Sequence, residues 1–274
     1  MAVVAPSTRS TAVVLSIAGS DSSGGAGIQA DIKAGAAFGV FVATAITAIT
    51  AQNSAGVTGI FPVTPDQLKA QIDAVLSGLP VAAIKIGMLA NIELAETVAG
   101  VLAATKLPVV LDPVMGATSG SSLMTEQGVT EFFRDNLLPL ATLTTPNVAE
   151  AARLLGEPLA ATYEDLERQA LALFSLGRQG VLLKGGDAEL PLAVDYLATA
   201  QGVRPFSAPR QATSHTHGGG CTMATAIAAG LAQGLSLEQA VAAAKSFIQG
   251  AIEHSARLQL VSHNGPIHHF YHYW

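Results

Sequence analysis

The stretch HTHGGGCTMATAIAAG, His215 to Gly230, holds the chain's single cysteine, Cys221, directly behind Gly218, Gly219 and Gly220. Glycines ahead of a helix leave backbone N–H groups at its positive end, an arrangement that attracts anions and phosphate above all. The same dipole favours thiolate over thiol. An unperturbed cysteine is about 3% ionised at pH 7, and one unit of pKa lowering raises that to roughly 24%. The order of residues therefore predicts an anion hole with a thiolate beside it, able to take a proton or bind positive charge. A small residue buried inertly at a helix start is the other reading.

Further residues with chemistry to offer lie just beyond strand-like runs. GSDSSGGAGIQAD (Gly19–Asp31) follows one strand and opens a helix, and its GAGIQA fits the dinucleotide pattern G-x-G-x-x-A. That pattern calls for an acid about 20 positions later, and no acidic residue lies between Asp31 and Asp66. A Walker-type loop fails as well, because Gly24-Gly25 is followed by alanine. A tight turn needing small residues is one reading. The other, preferred here, is that the glycines admit a small substrate to the backbone and Asp31 contacts it. Gln52, in AQN, offers an amide that can read a heterocycle edge or satisfy a strand end. Met88, in KIGML, fits an apolar pocket wall or plain core. Asp112 in LDPV, with Asn147 and Glu150 on one face of a helix start in TPNVAE, suits a hard cation such as Mg²⁺. Asn147 serves equally as an N-cap. VLLKGGD sends Lys184 and two glycines, Gly186 among them, out of a strand toward a nucleotide. The terminal His263, His268, His269 and His272 lack the cysteine or carboxylate partners of a metal site and read as a packing tail.

The elements that must hold these residues alternate. VVLSIAG, FVATAITAITAQ, VAAIKIG, PVVLDPV and GVLLKGG are strand-like, and amphipathic helical runs separate them. Thr64, Pro65 and Gln67 mark a capped helix start, Asn91 caps another, and GVTGIFPV reads as a short paired extension. Continuous apolar strands interleaved with helices imply an α/β fold with a mostly parallel sheet covered on both faces. Ligands in such folds sit beyond the carboxyl ends of the strands. No linker or repeat divides the chain, so residues 1–274 read as one domain, with 1–11 a ragged N-terminal extension.

Half of the residues are hydrophobic, 12% are charged and the net charge is −6. This balance supports a large core and gives no footprint for nucleic acid or an anionic membrane. No apolar run reaches the length of a membrane span, and the short run Ala12 to Ala18 reads as a first strand, not a signal peptide. One cysteine makes no internal disulfide. A cytoplasmic enzyme is the expectation.

Together these motifs resemble one family, the hydroxymethylpyrimidine/phosphomethylpyrimidine kinases of thiamine synthesis, in the ribokinase-like superfamily. The resemblance runs from about Val13 to Trp274. It is carried in order by IAGSDSSGGAGIQADIK, AQN, KIGML, LDPVM, TPNVAEA, LLKGG, THGGGCT and GPIHHFYHYW. It implies a ribokinase-like three-layer sandwich, usually homodimeric, that uses ATP and Mg²⁺ to phosphorylate the pyrimidine alcohol and then its monophosphate. The implied pyrimidine pocket is Gly19, Ala26, Asp31, Gln52, Met88 and Val114. Asp112 and Glu150 would organise magnesium, and Asn147, Lys184, Gly186 and Thr216 would face the nucleotide. Gly218, Gly219 and Gly220 match the anion hole and Cys221 the catalytic cysteine. Two positions depart from the pattern: Gly219 replaces the threonine of THGTGCT, and Thr118 stands where a lysine often follows DPVM. Both touch phosphate binding and so bear on the second phosphorylation. The rival readings are a pyridoxal kinase of the same fold and a non-catalytic pyrimidine sensor.

Overall fold

In each central strand, neighbouring side chains divide between two apolar layers. Val14, Ala83, Val110 and Leu182 point one way, while Leu15, Ile84, Leu111 and Leu183 point the other, all buried. Our computed structural model describes residues 10–116, 128–176 and 179–274. Its strands are β1 (Val13–Asp21), β2 (Phe41–Asn53), β3 (Gly56–Pro62), β4 (Val81–Ile86), β5 (Val109–Leu111), β6 (Leu143–Thr144), β7 (Val181–Leu183), β8 (Leu192–Thr199) and β9 (Gly202–Pro209). The helices are α1 (Gly27–Ala37), α2 (Pro65–Gly78), α3 (Ile92–Ala104), α4 (Val129–Phe132), α5 (Val148–Leu155), α6 (Tyr163–Ser175), α7 (Gly219–Ala232) and α8 (Leu237–Glu253).

One sheet runs in the order β3-β2-β1-β4-β5-β6-β7-β8-β9. It is parallel from β2 to β7, with Leu15 opposite Ile84 and Ile86 opposite Leu111. The antiparallel additions are β3 at one edge and the β8–β9 hairpin at the other. The expected paired extension is β3. Helices α2 to α6 cover the larger core around Ile72, Ile86, Leu94 and Leu166, while α7 and α8 cover the other face. The fold is thus the three-layer ribokinase-like sandwich.

Local chemistry sets the helix starts. Thr64 and Gln67 form a reciprocal capping box at α2, Asn91 accepts the Leu94 N–H at α3, and Ser236 and Gln239 repeat the box at α8. Helix α7 is different. Everything from Thr222 to Gly230 is buried, and four of those nine residues are alanine, which lets the helix lie close between the sheet and α8. Among the described residues, no helix is long and apolar enough to cross a membrane.

Candidate active site

The carboxyl ends of β1, β2, β4, β5, β6 and β7 all open into one cavity of about 440 Å³. The glycine-rich start of α7 points into it from the helical layer. A pocket of that size is typical of small-molecule sites.

Gly19, Ala26, Gln52, Met88 and Val114 line one end. Met88 is buried against Ala48, with Val57, Ile60 and Val114 around it. The Met88 thioether passes so near Gly19 that an added Cβ there would lie 3.4 Å from Sδ. This end is apolar with one amide, that of Gln52, among its lining residues, which suits a small aromatic ring.

Charge collects at the middle. Asp112 Oδ1 accepts from Lys184 Nζ at 2.7 Å and from Thr145 Oγ1 at 2.8 Å. Burial works against the Lys184 ammonium, but Asp112 and Glu150 outweigh it and hold its pKa above the ordinary lysine value. Burial, reinforced by Asp112 and opposed by Lys184, pushes Glu150 up to about 7. Asn147 caps α5 and lines the cavity at once: its Oδ1 accepts the Glu150 N–H, and Glu150 Oε2 accepts the Asn147 N–H, both at 2.9 Å. Gly220 faces this centre, since a Cβ there would lie 3.2 Å from Lys184 Nζ and 3.4 Å from Asp112 Oδ2. Gly186 and Thr216 also line the cavity.

Gly218 caps α7 in the left-handed region, with φ at 83°. A Cβ there would lie 1.9 Å from the Gly25 carbonyl oxygen, so only glycine lets the two loops touch. The first-turn N–H groups of Gly220 and Cys221 have no intrahelical acceptor. The expected use of Gly219 as an anion-hole donor needs correction, because its N–H donates to the Thr216 carbonyl at 3.0 Å.

Two more expectations change. Asp31 does not reach the cavity. It is fully buried and accepts from Lys85 Nζ, Ser16 Oγ and Thr225 Oγ1 at 2.6 to 2.9 Å, so it ties β1, β4 and α7 together and leaves nothing for a substrate. Nor does the helix dipole deliver a thiolate. Burial pushes Cys221 up to about 11; Lys85 and the Gly27 N–H pull it down, while Asp31 and Asp112 push it up. Thr118 lies outside the described residues.

Sequence reasoning missed the partner of the first loop. His217 Nε2 lies 2.8 Å from Asp21 Oδ2, and Asp21 also accepts the Ser23 and Ala26 N–H groups at 2.8 Å. Burial disfavours the Asp21 charge, yet the His217, Ser23 and Ala26 hydrogen bonds outweigh it and hold Asp21 at about 2. Both residues stand inside motifs quoted above, but nothing in a linear chain pairs positions so far apart. The Lys245–Asp195 ion pair, 2.8 Å long at the far end of the cavity, was missed for the same reason.

Comparison with known proteins decides the family. Residues 21–268 match the model described as phosphomethylpyrimidine kinase. The chain belongs to the phosphomethylpyrimidine kinase family. A hydroxymethylpyrimidine/phosphomethylpyrimidine kinase of Rhizobium meliloti is 46% identical over 264 residues, covering 96% of this chain and 99% of that one. The pyridoxal kinase of Staphylococcus aureus in complex with ADP superposes with a TM-score of 0.88 at 34% identity, over 97% of this chain and 96% of that one. The phosphomethylpyrimidine kinase of Clostridium difficile 630 gives a TM-score of 0.78 at 36% identity, over 88% and 100%. Both solved structures share this architecture.

Proposed function

We propose that this single-domain family member transfers the γ-phosphoryl group of ATP to the hydroxymethyl oxygen of 4-amino-5-hydroxymethyl-2-methylpyrimidine, and then a second phosphoryl group to the monophosphate. The observation that carries this reading is one cavity joining an apolar ring site to a helix start, with Lys184, Asp112 and Cys221 between. The pyrimidine lies between Gly19, Met88 and Val114, with Gln52 reading its edge. ATP extends from Lys184, Asn147 and Thr216 toward Gly186.

The alcohol oxygen forms its bond to the γ-phosphorus as the bond to the bridging oxygen breaks and ADP leaves. The transition state is loose, so catalysis consists of alignment and charge stabilisation. The Gly220 and Cys221 N–H groups, under the Gly218 cap, hold the equatorial oxygens, and Lys184 adds a positive charge. With burial keeping Cys221 a thiol, its sulfur acts as a relay. It takes the hydroxyl proton as it passes its own to the transferred phosphoryl oxygen.

The residues present fit Mg²⁺ arriving with the nucleotide. Among the described residues no cluster of three ligating side chains forms a cage. Magnesium typically binds through one or two carboxylates plus substrate phosphates and waters. Asp112 would hold it, with Glu150 behind, and when bound it would neutralise phosphate charge. We place the reaction in the cytoplasm, where a lone thiol stays reduced.

Mass spectrometry of products from the pyrimidine alcohol with Mg-ATP tests the reading. Mono- and diphosphate are expected, and ATP turnover without either product overturns it. A second reading, phosphorylation of pyridoxal, is favoured by the superposition on the Staphylococcus kinase. Competing the two ring alcohols for one limiting enzyme ranks them.

A further inference from the structure

The chain's last segment returns to the site and takes hold of the loop that builds it. Gly265 to Ile267 runs alongside His217 as a short parallel bridge. The His217 N–H donates to the Gly265 carbonyl at 3.1 Å, and the Ile267 N–H donates to the His217 carbonyl at 3.2 Å. The Gly265 N–H reaches His215 Nδ1 at 3.0 Å. A Cβ on Gly265 would lie 2.5 Å from that nitrogen, so glycine is needed for the approach. Four residues beyond Gly265, buried His269 places Nε2 2.8 Å from Oγ1 of buried Thr222, the neighbour of Cys221. Nε2 and the Thr222 hydroxyl are hydrogen-bond partners at that distance. Beyond it the segment is fixed to α8: the His268 N–H donates to the Ala251 carbonyl at 2.9 Å, and Tyr271 packs over Gly250.

We propose that Gly265–His269 is a positioning element for phosphoryl transfer, setting the first turn of α7 through the Thr222–His269 hydrogen bond and the pairing with His217. None of these tail residues touches the cavity. They act through the loop and helix that do. The proposal rests on the kinase reading for its catalytic consequence, but its structural half is measurable without turnover.

The test compares His269→Ala, His269→Gln, Thr222→Val and the Ala/Val double variant. Glutamine keeps a hydrogen-bonding group, able to donate or accept, where Nε2 stands. In His269→Ala, kcat falls about tenfold to a hundredfold with KM for ATP within about twofold, the penalty of a small misplacement of reacting groups. His269→Gln recovers most of it. Thr222→Val reproduces the loss, and the double variant loses no more than either single one, because the pair acts as a unit. Hydrogen exchange of the amides of residues 216–222 accelerates in His269→Ala and Thr222→Val at a temperature where both remain folded. Unchanged exchange with unchanged kcat overturns the proposal, and so does a kcat loss that glutamine does not rescue or that adds in the double variant. A wild-type protein without kinase activity instead defeats the functional reading, and exchange alone then decides the structural half.

Discussion

Asp31 carries its charge in the driest part of the molecule. Lys85, fully buried too, makes two bonds to it at 2.8 and 2.9 Å. Removing one partner strands the other. Asp31→Ala is therefore expected to cost about 3–5 kcal/mol in urea denaturation. Asp31→Asn with Lys85→Met, which removes both charges, recovers much of it. An Asp31→Ala protein of undiminished stability but with a raised KM for the pyrimidine would restore the ring-contact role. Cys221 gives a pH-dependent counterpart. With burial holding its thiol at about 11, only the reactive thiolate grows as pH rises. Alkylation by iodoacetamide in the empty enzyme should climb about tenfold per unit from pH 8 to pH 10. A plateau by pH 8, seen by peptide mass spectrometry, would show a thiol activated before substrate arrives.

At the scale of elements, α7 carries both the glycine turn that lines the cavity and an unbroken run of buried residues. Gly219 is its first residue, and a Cβ there would meet nothing within 4 Å. Gly219→Ala should therefore stabilise the protein by about 0.4–1 kcal/mol, by restricting the unfolded chain. A melting temperature that drops instead would mean that the Thr216-bonded turn needs glycine. The helix starts were legible because capping is local: Thr64, Pro65 and Gln67 announce α2 within four positions. The parallel strands were legible because both their faces are buried. The β8–β9 hairpin was not read in advance. Its outer strand is mostly exposed and contains Pro205, so it lacks the continuous apolar run that marks an inner strand. That Asp112, Asn147 and Lys184 would gather beyond strand ends, where they line the cavity, was likewise readable from type and position. Asp31 misled because it stands in a substrate-loop motif yet turns inward, and its three partners come from 15, 54 and 194 residues away.

For the whole molecule, the outer ribbon poses a question of assembly. Ile49 and Phe61 pair across β2 and β3, and they are 56% and 62% exposed. An apolar cross-strand pair on an edge ribbon is a surface that proteins normally cover or charge. We expect a homodimer that covers it. Phe61→Glu should convert dimer to monomer in sedimentation equilibrium, and a monomeric wild type would reject that arrangement. Gln52, in the same ribbon next to its last pair, lines the cavity, so loss of the dimer should raise KM for the pyrimidine more than KM for ATP.

The close approach of Gly218 to the Gly25 carbonyl has a consequence for inheritance. On the proposed reading it joins the glycine turn beside the alcohol to the turn beside the phosphate, so a change in one moves the other. Novelty in which vitamin precursor is accepted must therefore enter elsewhere, through side chains such as Gln52, Met88 and Val114. A lineage can exchange those residues while its transfer machinery passes on unaltered.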